Sequence, residues 1–187
     1  AGPLLAWQLA NQWRIAIVDE PQQSQHLRRA LTQSATTTAQ VVSAAPTLVD
    51  VLAPVWISSP YLVPEIPDSV EFDTVILVDA AAINLAEAAP AIRRARQIVA
   101  FGDPVTQRPT PFRIAVDPEE SWEPEVPFDD VSAFERLSEL LPVMTLTRSS
   151  RAGGEDLAEL INDAFYGGEI VSLPWAGSYL GRGSLTV

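Results

Sequence analysis

Two apolar runs that each end in aspartate constrain the fold of this chain most. DTVILVD (73–79) is continuous, apolar and rich in β-branched residues, and RQIVAFGD (96–103) has a similar pattern. Both runs predict buried strands, and the first is typical of a parallel strand covered on both faces. A helix is predicted between them at 84–95. Asp79 and Asp103 are then expected at the carboxyl ends of strands, where parallel sheets collect functional residues.

The rest of the chain has the spacing expected for alternating strands and helices. Further strands are predicted at 14–19, 39–44, 54–59 and 142–147, and further helices at 4–12, 22–33, 129–141 and 154–168. This alternation favours a parallel α/β sheet. Pro90 is expected to break or restart the helix in which it lies. The strand at 14–19 would place a third acid, Asp19, at a strand end, although a carboxylate that caps the next helix is the plainer explanation of each acid.

Composition and charge limit the possible functions. Of 187 residues, 47% are hydrophobic and 19% are charged, which is typical of a soluble globular protein. There is no cysteine, and neither a membrane-spanning run nor a signal peptide is found, so a cytoplasmic location is expected. The net charge of −12 disfavours a large phosphate-binding surface. Small basic patches, or simply solvated helix faces, are expected at Arg28, Arg29, Arg93, Arg94 and Arg96.

The pair ILVD and GDPVTQRP resembles motifs II and III of superfamily 1 DNA/RNA helicases. In that family the first strand ends in Asp-Glu, where the Asp holds Mg²⁺ and the Glu activates the attacking water. The second strand ends in Gly-Asp-Pro-x-Gln, which senses the γ-phosphate. The resemblance implies that Asp79 is a metal ligand, and that Asp79, Gly102, Asp103 and Gln107 are nucleotide-binding residues.

Three further segments extend the resemblance from about residue 4 to residue 170. IAIVDEPQQSQHLRRAL looks like the motif Ia strand–loop–helix, which in the family lies beside the nucleic-acid track. VSAFERL resembles the helix that joins the two RecA-like domains. SSRAGGEDLAELINDAFYGGEI resembles the motif IV region and aligns Arg151 with an arginine that reaches the nucleotide phosphates. The implied nucleic-acid contacts are Gln22, Gln23, Arg28 and Arg29.

The resemblance implies a RecA-like parallel sheet flanked by helices, as part of a P-loop NTPase fold. Residues 1–112 would form the C-terminal portion of a first RecA-like domain. Residues 113–129 would be an acidic, Pro-rich loop or linker, and 130–187 the connecting helix and the start of a second such domain. The implied partners are DNA or RNA, reached through a larger parent protein, and the rest of that helicase polypeptide, with no membrane.

The departures from the family pattern concern the parts that perform chemistry. Ala80 stands where the family has its catalytic Glu, so no catalytic residue is assigned. Thr106 stands at the family's Gln, with Gln107 one position late, and Ser150 stands at the family's Tyr. The chain contains no lysine, so the phosphate loop G-x-x-x-x-G-K-[ST] is absent. We expect the chain to begin just downstream of where that loop belongs.

Three hypotheses follow. The first is a degenerate helicase-like module, a pseudo-ATPase with a binding or scaffolding role in a larger protein. The second is a truncated fragment of an active ATP-dependent helicase. The third is an α/β domain whose likeness to helicases is only structural. No cofactor is expected for this chain by itself; ATP and Mg²⁺ are expected if a full-length parent is active.

Overall fold

The computed structural model describes residues 2–34, 36–110, 131–149 and 155–172, which form a mixed α/β structure. The elements in chain order are α1 (Gly2–Asp19), α2 (Pro21–Leu31), α3 (Thr38–Ala44), α4 (Pro46–Leu52), a 3₁₀ helix (Pro60–Glu65), β1 (Phe72–Leu77), α5 (Leu85–Ile92), β2 (Ala95–Ala100), α6 (Ala133–Leu140), β3 (Arg148–Ser149), α7 (Glu155–Phe165) and β4 (Val171–Ser172). None of the helices within these ranges is long and apolar enough to cross a membrane. The predicted linker at 113–129 lies outside the described residues.

The predicted parallel pairing of the two Asp-terminated strands is present. Strands β1 and β2 pair in parallel, from Phe72 opposite Ala95 to Leu77 opposite Ala100, with α5 as the crossover between them. This arrangement brings the carboxyl ends of both strands to one edge. A second parallel pair, β3 with β4, is only two residues long on each strand.

The prediction that β1 is covered on both faces is wrong. One face belongs to the core, where Leu77 is buried with Ala88 of α5 and with Ala133 and Leu137 of α6. The other face is open, and Ile76 is 59% exposed. Helices α5 and α6 both contribute to the core cluster on one face of the strand pair. Because side chains alternate between the two faces of a strand, only every second side chain of β1 reaches that cluster.

Helix α5 continues through Pro90, although a break or restart was expected there. A reciprocal capping box stabilises its first turn. Asn84 Oδ1 accepts a 2.8 Å hydrogen bond from Glu87 N, and the Glu87 carboxylate accepts one of 3.2 Å from Asn84 N. At the other end, Arg94 Nη1 donates to the Pro90 carbonyl at 2.8 Å. These end contacts offset the one intrahelical bond that Pro90 cannot make.

Four predicted strands are absent from their expected positions. Residues 14–19 belong to helix α1 and 39–44 to helix α3, while 54–59 and 142–147 have no regular structure. Short apolar runs do not distinguish a strand from a helix by periodicity, and local bonding decided these cases. Helix α3, for example, starts with a complete capping box between Thr37 and Gln40. The motif Ia segment is therefore helix–helix rather than strand–loop–helix, and Asp19 ends a helix.

Helices α1 to α4 pack on one another. Trp13 of α1 donates its indole N–H to the Val51 carbonyl of α4 at 3.1 Å. Gln23 of α2 accepts hydrogen bonds from the backbone N–H groups of Thr47 and Leu48 at 3.1 and 3.5 Å. These two N–H groups lie in the first turn of α4, where they have no partner within the helix. Gln23 thus has a structural task in joining α2 to α4.

Candidate functional site

The turn after β1 places Asp79 in an unusual backbone conformation. Its φ is 54°, in the left-handed region that asparagine and aspartate tolerate better than other residues with a Cβ. The Asp79 carbonyl accepts a 2.9 Å hydrogen bond from Ala82 N, which closes the turn. The carboxylate is exposed at the carboxyl edge of the strand pair.

The turn after β2 is built around Asp103. Its Oδ1 accepts from Val105 N at 3.0 Å, and its Oδ2 accepts from the Thr106 hydroxyl at 2.6 Å. Gln107 closes the turn, because its N–H donates to the Asp103 carbonyl at 2.9 Å and its Oε1 accepts from Asp103 N at 3.3 Å. The aspartate therefore organises its own loop, as a capping acid does.

Gln107 also joins the two turns. Its Nε2 donates a 2.8 Å hydrogen bond to Asp79 Oδ1. The structure thus brings together three of the residues for which the helicase resemblance implies nucleotide binding: Asp79, Asp103 and Gln107. Gln107, which stands one position late against the family pattern, occupies the junction, while the Thr106 hydroxyl donates to Asp103. Their roles toward a nucleotide or metal stay predictions.

Gly102 supports this junction through its lack of a side chain. A Cβ at this position would lie 2.8 Å from Ala81 N and 2.8 Å from Phe134 Cδ2 of helix α6. Such distances do not occur between real Cβ atoms and their neighbours, so the close approach of α6 to the strand ends requires glycine here. Gly102 acts through packing, whereas the resemblance implies nucleotide binding for it.

Tyr166, next to the end of α7, is a site residue that sequence reasoning missed. Its hydroxyl donates a 2.5 Å hydrogen bond to Asp103 Oδ2, across 63 positions of sequence. The residue was recognised as part of the motif IV resemblance, but nothing in the sequence indicated which side chain it would meet. It links α7 to the end of β2.

The Tyr166–Asp103 pair shifts both titrations in the directions that strengthen it. Burial by itself would raise the pKa of Asp103, but the hydrogen bonds from Thr106, Tyr166 and backbone amides outweigh it and lower the pKa below its usual value. The hydrogen bond to Asp103 raises the pKa of Tyr166, with smaller contributions from burial and from the carboxylate charge. At neutral pH the pair is an ionised carboxylate and a neutral phenol.

Ala80 occupies the core. Its side chain has 0% exposure and packs with Leu77, Ala88 and Ala133. Its N–H donates to Phe101 O at 2.7 Å, and its carbonyl accepts from Phe134 N at 3.1 Å. Both backbone groups of Ala80 are therefore hydrogen-bonded, and its methyl group lies among packed side chains. A carboxylate at this position, which aligns with the family's catalytic Glu, would be buried next to apolar side chains.

A cleft of about 370 Å³ lies beside the junction. Asp103 forms one part of its wall, and α7 with the β3–β4 pair forms the rest. The lining residues are Asp103, Ser149, Ala158, Ile161, Asn162, Tyr166, Ile170 and Ser172. Arg151, the implied phosphate ligand, lies outside the described residues. Among the described residues, no group of three or more His, Asp or Glu side chains could hold a metal ion.

The implied nucleic-acid residues are divided between two roles. Gln22, Arg28 and Arg29 are exposed on α2, whereas Gln23 is used in binding the start of α4. The two arginines lie in the last turn of α2, where positive charge also stabilises the helix dipole.

The arginines near β2 have structural partners as well. Arg94 is 10% exposed and binds Asp68 at 2.7 Å and the Ile66 carbonyl at 2.8 Å. Arg96 lies within 3.7 Å of Glu71 and 3.6 Å of Asp73. These pairings account for two arginines of the predicted basic patch at residues 93–96.

Comparison of the chain with protein-family models, with curated proteins and with solved structures gives no match. The helicase resemblance therefore rests on the sequence motifs and stays a prediction.

Proposed function

We propose that this chain is a catalytically degenerate helicase-like module, a pseudo-ATPase whose role in a larger protein is binding or scaffolding. The observation that carries the proposal is the burial of Ala80, which has no exposed surface. ATP hydrolysis in the helicase family needs a carboxylate at this point to orient water. Here the position is part of the hydrophobic core. The absence of the catalytic Glu is therefore accompanied by apolar packing around residue 80.

The two aspartates that follow β1 and β2 support a structural role for this edge of the strand pair. Asp79 receives a hydrogen bond from Gln107, and Asp103 receives hydrogen bonds from Thr106 and Tyr166. Each carboxylate is thus engaged by donors of the protein itself. Such a network gives rigidity to the segments it joins, which suits a module that presents a fixed surface.

The binding part of the proposal concerns single-stranded DNA or RNA at α2. Arg28 and Arg29 are both exposed there, next to Gln22 in the same helix. Contacts of arginine with phosphates release counterions, so the affinity should fall steeply with salt concentration. We also propose that the protein is located in the cytoplasm.

Two measurements on the purified chain test the proposal. We expect no Mg²⁺-dependent ATP hydrolysis above the blank, and salt-sensitive binding of a fluorescent single-stranded oligonucleotide. The double variant Arg28→Ala/Arg29→Ala should weaken that binding, while the matched variant Arg93→Ala/Arg96→Ala, with the same change of charge, should not. ATP turnover that disappears in Asp79→Ala would refute the pseudo-ATPase; equal losses in both double variants would refute the α2 surface.

The second candidate is a fragment of an active helicase. It is favoured by the meeting of Asp79, Gln107 and Asp103 at the carboxyl edge of parallel strands, the geometry that a helicase site would need. In that case ATP and Mg²⁺ would bind only in a longer protein. A longer protein that contains this chain and hydrolyses ATP in an Asp79-dependent manner would establish this candidate.

A further inference from the structure

The cleft between Asp103 and α7 is lined by residues whose charge and polarity favour one class of ligand. We propose that it binds a small organic cation, an alkylammonium or guanidinium group on an aliphatic stem. The inference is independent of the proposed pseudo-ATPase role, because it concerns neither the position of Ala80 nor the α2 surface. It rests on the charge, the acceptor groups and the apolar wall of the cleft.

Charge is the first argument. Asp103 is the one ionised side chain among the described residues that line the cleft, and no cationic side chain is among them. The whole chain carries a net charge of −12. A phosphate group placed here would meet a carboxylate with no described counter-charge in the lining, whereas a cation would gain from both the local and the overall field.

The acceptor groups are the second argument. The Asp103 carboxylate accepts hydrogen bonds from the Val105 N–H and from the Thr106 and Tyr166 hydroxyls, and the Thr106 backbone N–H also stabilises its charge. A ligand cation would therefore be attracted mainly by the negative charge of this carboxylate. The lowered pKa of Asp103 keeps this acceptor charged at neutral pH. The Ser149 hydroxyl is another acceptor in the lining, and the Tyr166 ring supplies a surface that attracts cations.

The apolar wall is the third argument. Ala158, Ile161 and Ile170 line the same cleft and are suited to packing against methylene groups. The volume of about 370 Å³ is at the small end of the range of about 300 to 1,000 Å³ that is typical of small-molecule sites. A charged head beside Asp103 and a short aliphatic stem on the isoleucines would fill it.

Such a cation has two sources, a free polyamine-like compound or an arginine side chain in a peptide. We would titrate the purified chain with agmatine and with N-acetyl-arginine amide, and follow binding by calorimetry. N-acetyl-citrulline amide, which is nearly the same size but uncharged, is the matched ligand. We expect both cations to bind and the citrulline compound to bind at least about tenfold more weakly, since its attraction to the Asp103 charge is lost. The tighter of the two cations identifies the source.

Protein variants locate the site. Asp103→Asn should weaken binding about tenfold for the same reason, while Asp163→Asn, an exposed acid of α7 with the same change of charge, should leave it unchanged. Because Asp103→Asn also disturbs its own turn, Ala158→Leu is the second variant and should block the cleft by bulk. Binding that is absent, equal for citrulline, equally weakened by Asp163→Asn, or unaffected by Ala158→Leu would overturn the proposal.

Discussion

Gln107 Nε2 and Asp79 Oδ1 lie 2.8 Å apart although 28 positions separate the two residues in the chain. The same glutamine closes the turn of Asp103 through both its side chain and its backbone. One side chain therefore links the ends of two parallel strands. Tyr166 extends the link to α7, so three segments of the chain meet at two carboxylates.

A carboxylate placed at position 80 should destabilise the fold. We expect Ala80→Glu to lower the free energy of unfolding by about 3 kcal/mol, because it overfills a packed core and buries an unpaired charge. Ala82→Glu is the matched control, since Ala82 is exposed two residues later. Urea denaturation measures both. An Ala80→Glu variant as stable as the wild type would show that the position is not a core position.

Gly102→Ala should destabilise the protein by about 1 to 3 kcal/mol, the usual cost of forcing extra atoms into a packed site. Its Cβ would lie 2.8 Å from a backbone nitrogen, which cannot move aside as a flexible side chain does. Gly2→Ala adds the same atom where nothing lies within 4 Å, and is expected to be neutral or slightly stabilising. Thermal unfolding of the two variants makes the comparison. Equal midpoints would contradict the close packing of α6 on the strand ends.

Replacing Asp79 tests the backbone of its turn. Asp79→Ala and Asp79→Gly both lose the hydrogen bond from Gln107, but only glycine adopts a φ of 54° without strain. We expect the glycine variant to be more stable than the alanine variant by about 1 kcal/mol, against the usual preference for alanine. Chemical denaturation gives the difference. Greater stability of the alanine variant would mean that the turn relaxes to a negative φ.

The Tyr166–Asp103 pair should make stability depend on pH at both extremes. The lowered pKa of Asp103 contributes stability above its ordinary value of 3.8, and this contribution is lost as the pH falls through the folded-state pKa. The raised pKa of Tyr166 contributes stability below its ordinary value of 10.0, which is lost as the pH rises through the folded-state pKa. Tyr166→Phe should therefore raise the pKa of Asp103, as followed by carbon NMR of the carboxyl group.

Tyr61→Phe is the control for that titration. Tyr61 donates a 2.8 Å hydrogen bond to Glu87, so the variant removes an equivalent tyrosine–carboxylate contact away from Asp103. The titration of Asp103 should be the same in this variant and in the wild type. An Asp103 pKa that does not move in Tyr166→Phe would contradict the contact between α7 and the end of β2.

Much of the core pair was predictable because its signals are local. The β-branched runs before Asp79 and Asp103 predicted β1 and β2, and their parallel pairing followed from the helix between them. The helices α2, α5, α6 and α7 were predicted within a few residues of their bounds for the same reason. The apolar run at 14–19 was misassigned, since a run of that length suits either structure, and it continues helix α1 through hydrogen bonds four residues apart.

By itself, the sequence determined which residue types stand at the strand ends: an Asp without a following Glu, a glutamine one place late, and a chain without lysine. Those identities are the departures from the helicase pattern on which the proposed loss of hydrolysis rests. Only the tertiary structure decided that the Ala80 methyl group lies in the core, that Gln107 joins two turns and that Tyr166 binds Asp103. The physical reason is that each of these contacts depends on packing between segments far apart in the chain, which no local pattern encodes.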